Sequence, residues 1–364
     1  MKNVFLPFML LLLTVTGCKM SKEVKDNLTC YEFGIYELEN NYPGFEYKVT
    51  NANRAEYEAL KQELRDSIEA GKITGAVGVS ELCAFMHDYH LGCPFRMWSD
   101  RYPMNWPTYK EEMTEYNPQP VAQKLDDQTF LLRFPTCMGD SVYVSWVWGA
   151  VDEYRQSGCP NLIVDVRGNG GGQDWQYYPI YRLLYAQPGV THGVALLNTQ
   201  EIRDSLRAAA AYANSDFWIA KMDSAEAHKD ERWFPFEEHY FDKIVEEGVD
   251  PHRPQKTAII IDRWVASSGE QFLIDTQAVA PDVRLYGRDN TLGCIDFSNE
   301  RVVMLPDSVT TMNMPTTTSY RVIDGRLIDG IGIKPDVRID LPLPEKLTDN
   351  VDEWVTWVAA KMKE

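Results

Sequence analysis

Two apolar runs of strand length, each followed by a turn and a helix, constrain the fold of this chain more than any other feature. Residues 161–166 and 257–262 are almost continuously apolar, as expected for parallel strands that are buried on both faces. The helices that follow them are predicted at about 174–186 and 268–280. This repeated strand–helix–strand order predicts a wound α/β core with right-handed crossovers.

The remaining elements are predicted to surround this core. Further helices are expected at 54–70, 80–88, 141–157 and 351–363, and further strands at 129–134, 283–286 and within 300–340. We expect an N-terminal helical region at 30–120, a core at 121–345 with a helical insertion at about 200–250, and a C-terminal helix at 346–364.

Composition excludes two broad classes of protein. The 364-residue chain has a net charge of −18, whereas neutralising phosphates requires a lysine and arginine face. Nucleic acid is therefore not an expected partner. With 44% hydrophobic and 25% charged residues, the chain is also not a largely disordered one.

The N-terminus has the pattern of an export signal. Lys2 precedes a short apolar run, and Val15-Thr16-Gly17-Cys18 resembles a bacterial lipobox. Residues 1–17 are predicted to be a lipoprotein signal peptide, Cys18 the lipidated residue and 18–29 a polar tether. The expected location is the bacterial cell envelope, with the lipid as membrane anchor. An ordinary signal peptide with an incidental cysteine is the alternative.

The six cysteines other than Cys18 do not form a metal-binding pattern. An even number of cysteines in an exported protein permits disulfides, but their pairing does not follow from the sequence. Because the chain has no CxxC pair and no HExxH stretch, no metal site is predicted.

A glycine-rich turn, Arg167 to Gly172, directly follows the first buried strand. Its four glycines let the backbone turn sharply and present N–H groups to a ligand at close range. Such a turn serves as an oxyanion hole in acyl transfer, as a phosphate site or simply as a tight turn. The phosphate-binding patterns GxGxxG and GxxxxGK[ST] are absent.

Two serines, Ser267 and Ser268, lie where the second buried strand gives way to its helix. A serine at such a turn exposes its hydroxyl at the sheet edge, near the positive helix N-terminus. Capping of the helix is the alternative role.

His90 lies in the segment 87–92, at the end of a predicted helix. A histidine there can accept the proton of a serine hydroxyl. A surface or packing role is the alternative.

Taken in order, these segments resemble the C-terminal processing (tail-specific) serine peptidases. The matching motifs are Asp165–Gly172, Ser267–Glu270, Thr291–Gly293 and Gly332–Asp336. The resemblance covers roughly residues 80–92 and 125–340. It implies a ClpP/crotonase-like wound α/β core and a peptide or protein substrate.

The resemblance also implies roles for individual residues. Ser267 takes the position of the nucleophile, with Ser268 as the fallback. The oxyanion donors would be the N–H of Gly170 or Gly171 together with the N–H of Ser268. No metal or organic cofactor is implied.

Cys294 departs from the commonest branch of this family, in which a lysine base follows Thr-x-Gly. A Ser–Lys dyad is therefore missing. Asp88-Tyr89-His90 is similar to the Asp-x-His of the tricorn-like and retinoid-binding-protein-like branch, whose peptidases use that histidine as base. That branch also places a carboxylate three residues before the glycine of Gly-Ile/Val-x-Pro-Asp. Asp329 occupies that position here, although a glutamate is the usual residue. The resemblance thus implies Asp329 as the acid that orients and stabilises the imidazolium of a Ser–His–acid arrangement.

Two other functions stay open on the sequence. A non-catalytic relative would bind a peptide or hydrophobic ligand in the same pocket. A carbohydrate-handling surface lipoprotein would use some of the ten tryptophans and nineteen tyrosines. The chain leaves no room for a PDZ module between the Asp-x-His motif and the core. The substrate sequence and the oligomeric state are not predicted.

Overall fold

The computed structural model describes residues 20–93, 101–103, 109, 112–235, 242–245 and 248–364. The predicted signal peptide at 1–17 and the predicted lipidation site Cys18 lie outside these residues. Helices α1 to α11 span Lys22–Asn41, Phe45–Lys48, Arg54–Glu69, Gly75–Phe85, Ser141–Ser157, Tyr178–Leu184, Gln200–Tyr212, Asp216–Ala227, Ser268–Val279, Tyr320–Ile323 and Glu353–Lys361. A 3₁₀ turn at Asp174–Gln176 precedes α6.

Strands β1 to β16 are mostly short. They span Glu115–Tyr116, Val121–Lys124, Thr129–Arg133, Asn161–Asp165, Gly189–His192, Val194–Leu197, Trp233–Pro235, Asp242–Val245, Lys256–Ile260, Arg284–Gly287, Phe297–Ser298, Arg301–Met304, Thr311–Met314, Thr317–Ser319, Val337–Arg338 and Lys346–Leu347.

A six-stranded sheet in the order β15-β10-β9-β4-β3-β2 forms the centre of the molecule. Its strands are parallel except for β2, which pairs antiparallel with β3 at one edge. Helix α5 connects β3 to β4, and α9 connects β9 to β10. The predicted wound α/β class is confirmed.

The central strands are buried on both faces, which explains their continuous apolar sequence. Alternate residues point to opposite sides of a strand. Leu132, Val164, Ile259 and Leu285 pack in one core with helices α5, α6 and α9. Leu131, Ile163, Ala258 and Ile260 pack in another core with helix α11. The predicted closing helix therefore covers the second face of the sheet.

A separate core joins the N-terminal helices to the hairpin β12–β13. Helices α1, α3 and α4 contribute most of its side chains, and Val303, Met312 and Met314 come from the hairpin. At the edge of this hairpin, Gly92 and Asn313 exchange backbone hydrogen bonds of 3.1 and 2.9 Å. The segment that carries His90 is thus attached to the core of the N-terminal helices.

The prediction of a tether over residues 18–29 is wrong for 22–29, which form the first two turns of α1. The side chain of Ser21 caps the helix by accepting from the N–H of Val24. Asn27 Oδ1 accepts from the N–H of Gly75 at 2.8 Å, which ties this part of α1 to α4. The polar residues that suggested a tether are largely the solvent-facing side of a packed helix.

The insertion predicted at about 200–250 is helical only in its first part. Helices α7 and α8 occupy 200–227 and pack over Leu196 and Leu197 of β6. Strands β7 and β8 follow, and β7 pairs with β6 in a four-stranded sheet, β11-β14-β6-β7. None of the helices in the described part of the chain is long and apolar enough to cross a membrane.

Candidate active site

Ser267 lies at the turn between β9 and α9, in a backbone conformation that side chains rarely adopt. Its φ is 51° and its ψ is −124°. Although it occupies the N-cap position of α9, its side chain makes no capping hydrogen bond within the described chain. The capping role considered for this motif therefore does not apply to Ser267. Such strain is typical of functional positions.

The surrounding backbone holds this conformation. The N–H of Ser267 donates to the carbonyl of Cys294 at 2.8 Å, and the N–H of Ala266 donates to the carbonyl of Asn169 at 3.0 Å. A Cβ on Gly171 would lie 2.6 Å from the Cβ of Ser267. Only glycine at 171 lets the glycine-rich turn approach the serine this closely.

His90 meets Ser267 where the segment attached to the N-terminal helices lies against the central sheet. Its Nε2 lies 3.2 Å from the Oγ of Ser267. Its Nδ1 lies 2.6 Å from the carbonyl oxygen of Phe297 in β11. Because a carbonyl only accepts, Nδ1 must carry the proton, and the neutral ring then presents the Nε2 lone pair to the hydroxyl. This is the geometry of a general base beside a serine.

Asp88 holds the loop on which His90 lies. Its Oδ1 accepts from the backbone N–H of His90 at 2.9 Å, and its Oδ2 accepts from the hydroxyl of Tyr42, the residue after α1, at 2.6 Å. The side chain is buried. In the Asp-x-His motif, then, the aspartate supports the backbone of the histidine rather than its ring.

Asp329 does not take the place expected for the acid of a Ser–His–acid arrangement. Within the described residues, the ring nitrogens of His90 contact Ser267, Phe297 and Cys294. Oδ1 of Asp329 instead accepts from the N–H groups of residues 295 and 296, at 3.0 and 2.9 Å. The expected contact between the Asp329 carboxylate and the imidazole is absent, because a backbone carbonyl already accepts the Nδ1 proton.

The three predicted oxyanion donors differ in availability. The N–H of Ser268, at the start of α9, donates to no acceptor among the described residues. The N–H of Gly171 donates to Asn169 Oδ1 at 3.1 Å, and that of Gly170 to the carbonyl of Gly168 at 2.9 Å. A substrate oxygen would bind Ser268 directly but would have to replace an internal acceptor at either glycine. The Ser268 hydroxyl donates to the carbonyl of Gly172 at 2.9 Å.

Cys294, at the position of the usual lysine, packs against the imidazole. Its Sγ lies 3.4 Å from Nδ1 and 3.6 Å from Nε2 of His90, and the residue is only 4% exposed. Burial raises the pKa of the Cys294 thiol well above its ordinary value. The side chain is therefore a neutral thiol at neutral pH and does not replace the missing lysine as a base.

Glu270 organises the loop behind the serine from the first turn of α9. Its carboxylate is fully buried and accepts from the Thr291 hydroxyl and from the N–H groups of Gly293 and Cys294. Burial raises the pKa of Glu270, although these three donors oppose the rise. Glu270 thus explains the spacing of the Ser-x-x-Glu and Thr-x-Gly motifs.

Sequence reasoning missed three groups around His90: the carbonyl of Phe297, the hydroxyl of Tyr42 and the side chain of Lys48. A backbone carbonyl leaves no signature in the amino-acid sequence. Tyr42 and Lys48 lie in the N-terminal helical region outside the Asp-x-His motif, and no sequence pattern points to them.

An α/β core with a strained serine at a strand-to-helix turn, a histidine at its hydroxyl and a glycine-rich turn beside it defines the class of serine hydrolases. Within that class, the family model described as Peptidase family S41 matches residues 141–339, more than half of the chain. The chain belongs to peptidase family S41 and is by family a serine-type peptidase, which agrees with the ClpP/crotonase-like core expected from the sequence.

Solved structures share this fold at low sequence identity. A protein from Parabacteroides merdae designated a peptidase is 16% identical, with a TM-score of 0.53, over 88% of this chain and 90% of that one. Mature CPAF in complex with lactacystin is 12% identical, with a TM-score of 0.61, over 94% and 98% of the two chains. At these identities the likeness concerns the fold alone. No curated protein matches the sequence at a significant level.

Proposed function

We propose that this protein is an exported serine endopeptidase in which Ser267 is the nucleophile and His90 the general base. The observation that carries the proposal is the 3.2 Å contact between Nε2 of His90 and Oγ of Ser267, with Nδ1 fixed by a carbonyl. We also propose that the chain belongs to the tricorn-like branch, with a Ser–His rather than a Ser–Lys site, and this contact supports that proposal.

The proposed reaction follows from these positions. His90 accepts the Ser267 proton while Oγ attacks a peptide carbonyl carbon. The N–H of Ser268 and one N–H of the glycine turn stabilise the oxyanion; losing one such donor typically lowers the rate by roughly 10²–10³. The imidazolium then gives its proton to the leaving amine. Water hydrolyses the acyl-enzyme with His90 again as base, so no cofactor enters the scheme.

Asp329 has no direct contact with the base in this scheme. The acceptor that orients the imidazole is the neutral carbonyl of Phe297, which stabilises an imidazolium less than a carboxylate does.

A non-catalytic relative that binds a peptide or hydrophobic ligand is the alternative. It is favoured by one observation: the N–H groups of Gly170 and Gly171 are occupied by internal acceptors. In a binding protein these bonds would persist when the ligand enters.

A fluorophosphonate probe on residues 19–364 separates the two functions. We expect wild-type protein to be labelled, and Ser267→Ala and His90→Ala to lose labelling. Ser268→Ala is the matched control: it removes the neighbouring hydroxyl but keeps the backbone donor, so labelling should persist. Folded wild-type protein that resists the probe would favour the binding protein.

Lipid anchoring at Cys18 in the bacterial cell envelope is proposed from the lipobox-like sequence alone. Metabolic labelling with an alkyne fatty acid should modify the wild-type chain and not Cys18→Ala. Equal labelling of the two chains would contradict the assignment.

A further inference from the structure

Lys48, the last residue of helix α2, lies between the two segments that hold the imidazole of His90. Its Nζ is 3.4 Å from the carbonyl oxygen of His87 and 3.5 Å from Oδ2 of Asp329. It also lies over the ring of Phe297, 5.5 Å from the centroid. Only 12% of the Lys48 side chain is exposed, so most of the side chain is held against the protein, although its bond to His87 lies at an exposed position.

Each of these contacts involves a group that holds or orients His90. The carbonyl of His87 belongs to the loop that Asp88 ties to the backbone of His90. Phe297 supplies the carbonyl that accepts from Nδ1. Asp329 fixes the two residues just before Phe297 through their N–H groups. Lys48 therefore bridges the loop bearing the base and the strand that orients it.

The carboxylates near Lys48 favour a cation at this position. Asp88 and Asp329 are both buried. Burial, reinforced by Asp88, raises the pKa of Asp329 to about 7, and Lys48 opposes that rise. The titratable groups that face Asp329 are Lys48, Asp88, Asp296, Tyr42 and Cys294. Asp296 is itself paired with Arg321 at 3.1 Å.

We propose that Lys48 is a positioning residue for the His90 base, acting through Asp329 and the Phe297 segment. This inference rests on the proposed function for its catalytic consequence. Under it, the N-terminal helical region supplies both the histidine and the cation that keeps the histidine in place.

Three variants of the full mature chain test the role: Lys48→Met, Lys48→Arg and Asp329→Asn. Lys61→Met is the matched control, because Lys61 lies in the same helical region, is 19% exposed and pairs with Glu39 at 2.6 Å. The rate of fluorophosphonate labelling is measured against pH. We expect Lys48→Met to slow labelling about tenfold or more through misplacement of the base. Lys48→Arg should recover much of the rate, and Lys61→Met should leave it unchanged.

The pH profile adds a readout that general loss of packing would not produce. Lys48 is a positive charge near the imidazole that disfavours the imidazolium, so without it His90 should keep its proton to higher pH in Lys48→Met. Removing the Asp329 carboxylate should have the opposite effect. The midpoint of the pH dependence of labelling should therefore move to lower pH in Asp329→Asn. Midpoints that do not move, or that move the same way in both variants, overturn the proposal.

Nuclear magnetic resonance of histidine labelled at Cε1 separates this inference from the proposed function. The His90 signal is assigned with His90→Gln, and its titration needs no hydrolysis. Opposite shifts in Lys48→Met and Asp329→Asn, in protein that resists the probe, would support the positioning role and refute the peptidase. An unchanged His90 titration in both variants would refute the positioning role, whatever the labelling shows.

Discussion

At the scale of single residues, the backbone of Ser267 is the clearest sign that this position serves more than the fold. Its φ of 51° and ψ of −124° are near the mirror image of an extended conformation, which glycine adopts without cost. A serine there costs roughly 1–3 kcal/mol of stability. The surrounding bonds maintain that strain, and the hydroxyl is presented to His90.

We predict that Ser267→Gly is more stable than Ser267→Ala by about 1 kcal/mol, because glycine relieves the strain but costs more chain entropy. Both variants lack the hydroxyl, so chemical denaturation compares only the backbone. At Ser268, which has helical geometry, the order should reverse and alanine should be the more stable. Equal stability of the two Ser267 variants would mean that the turn is not strained.

The candidate serine and histidine were predictable from the sequence, but their environment was only partly so. Ser267 and His90 lie in short motifs with a fixed order along the chain. The sequence suggested Asp329 as the group that orients the imidazole, whereas Nδ1 lies beside the carbonyl of Phe297. The position of that carbonyl depends on where β11 passes and not on any side chain. The sequence also does not show which N–H groups of the glycine-rich turn already donate hydrogen bonds within the protein.

At the scale of elements, helix α9 is joined to the loop at 291–294 through one buried carboxylate. Glu270 accepts three hydrogen bonds there, two of them from backbone N–H groups. The same loop gives the Cys294 carbonyl that binds the N–H of Ser267. The helix that starts at the serine therefore also fixes the loop behind it.

Replacing Glu270 with glutamine should destabilise the protein by about 2 kcal/mol, since an amide donor would face a backbone donor and leave it unsatisfied. Urea denaturation measures the change. Glu353→Gln is the control, because Glu353 is an exposed acidic residue in the first turn of α11 and its replacement should cost less than ~0.5 kcal/mol. A Glu270→Gln variant as stable as wild type would contradict this assignment.

Elements with strong local signals were predicted well. Helix α5 was expected at 141–157 and has those bounds, because Asp140 caps its start and Gly158 ends it with a φ of 70°. Elements stabilised mainly by distant contacts were missed. The start of α1 is held by α4, and strand β7 is formed through pairing with β6. No local sequence pattern indicates such distant contacts.

At the scale of the whole molecule, a buried charge network connects the sheet to the C-terminal helix. Asp165 pairs with Arg133 and Arg167, each at 2.7 Å, and Arg167 also pairs with Asp352 at the start of α11. Burial alone would raise the pKa of Asp165, but the two guanidinium groups outweigh it and hold that pKa well below its usual range.

A carboxylate with a depressed pKa stabilises the fold above its unfolded pKa near 4, and this contribution is lost as the pH falls below that value. Asp165→Asn should therefore cost about 3–5 kcal/mol at pH ~7 and clearly less at pH ~3. Urea denaturation at both pH values tests this. Asp127→Asn, at an ion pair whose aspartate is 94% exposed, should show almost no effect at either pH. If Asp165→Asn lowered the free energy of unfolding equally at both pH values, the proposed link between Asp165 ionisation and stability would be contradicted.

The contact between His90 and Ser267 joins residues that are 177 positions apart in the chain. At ribosomal speeds of about 5–20 residues per second, the histidine is synthesised roughly 10–35 s before the serine. A growing chain that has not reached residue 267 therefore carries the histidine without the serine. With the roles proposed here, the two groups form a site only when the N-terminal helices pack against the central sheet. Under the proposed roles, peptidase activity therefore requires folding of the chain and not only synthesis of the two residues.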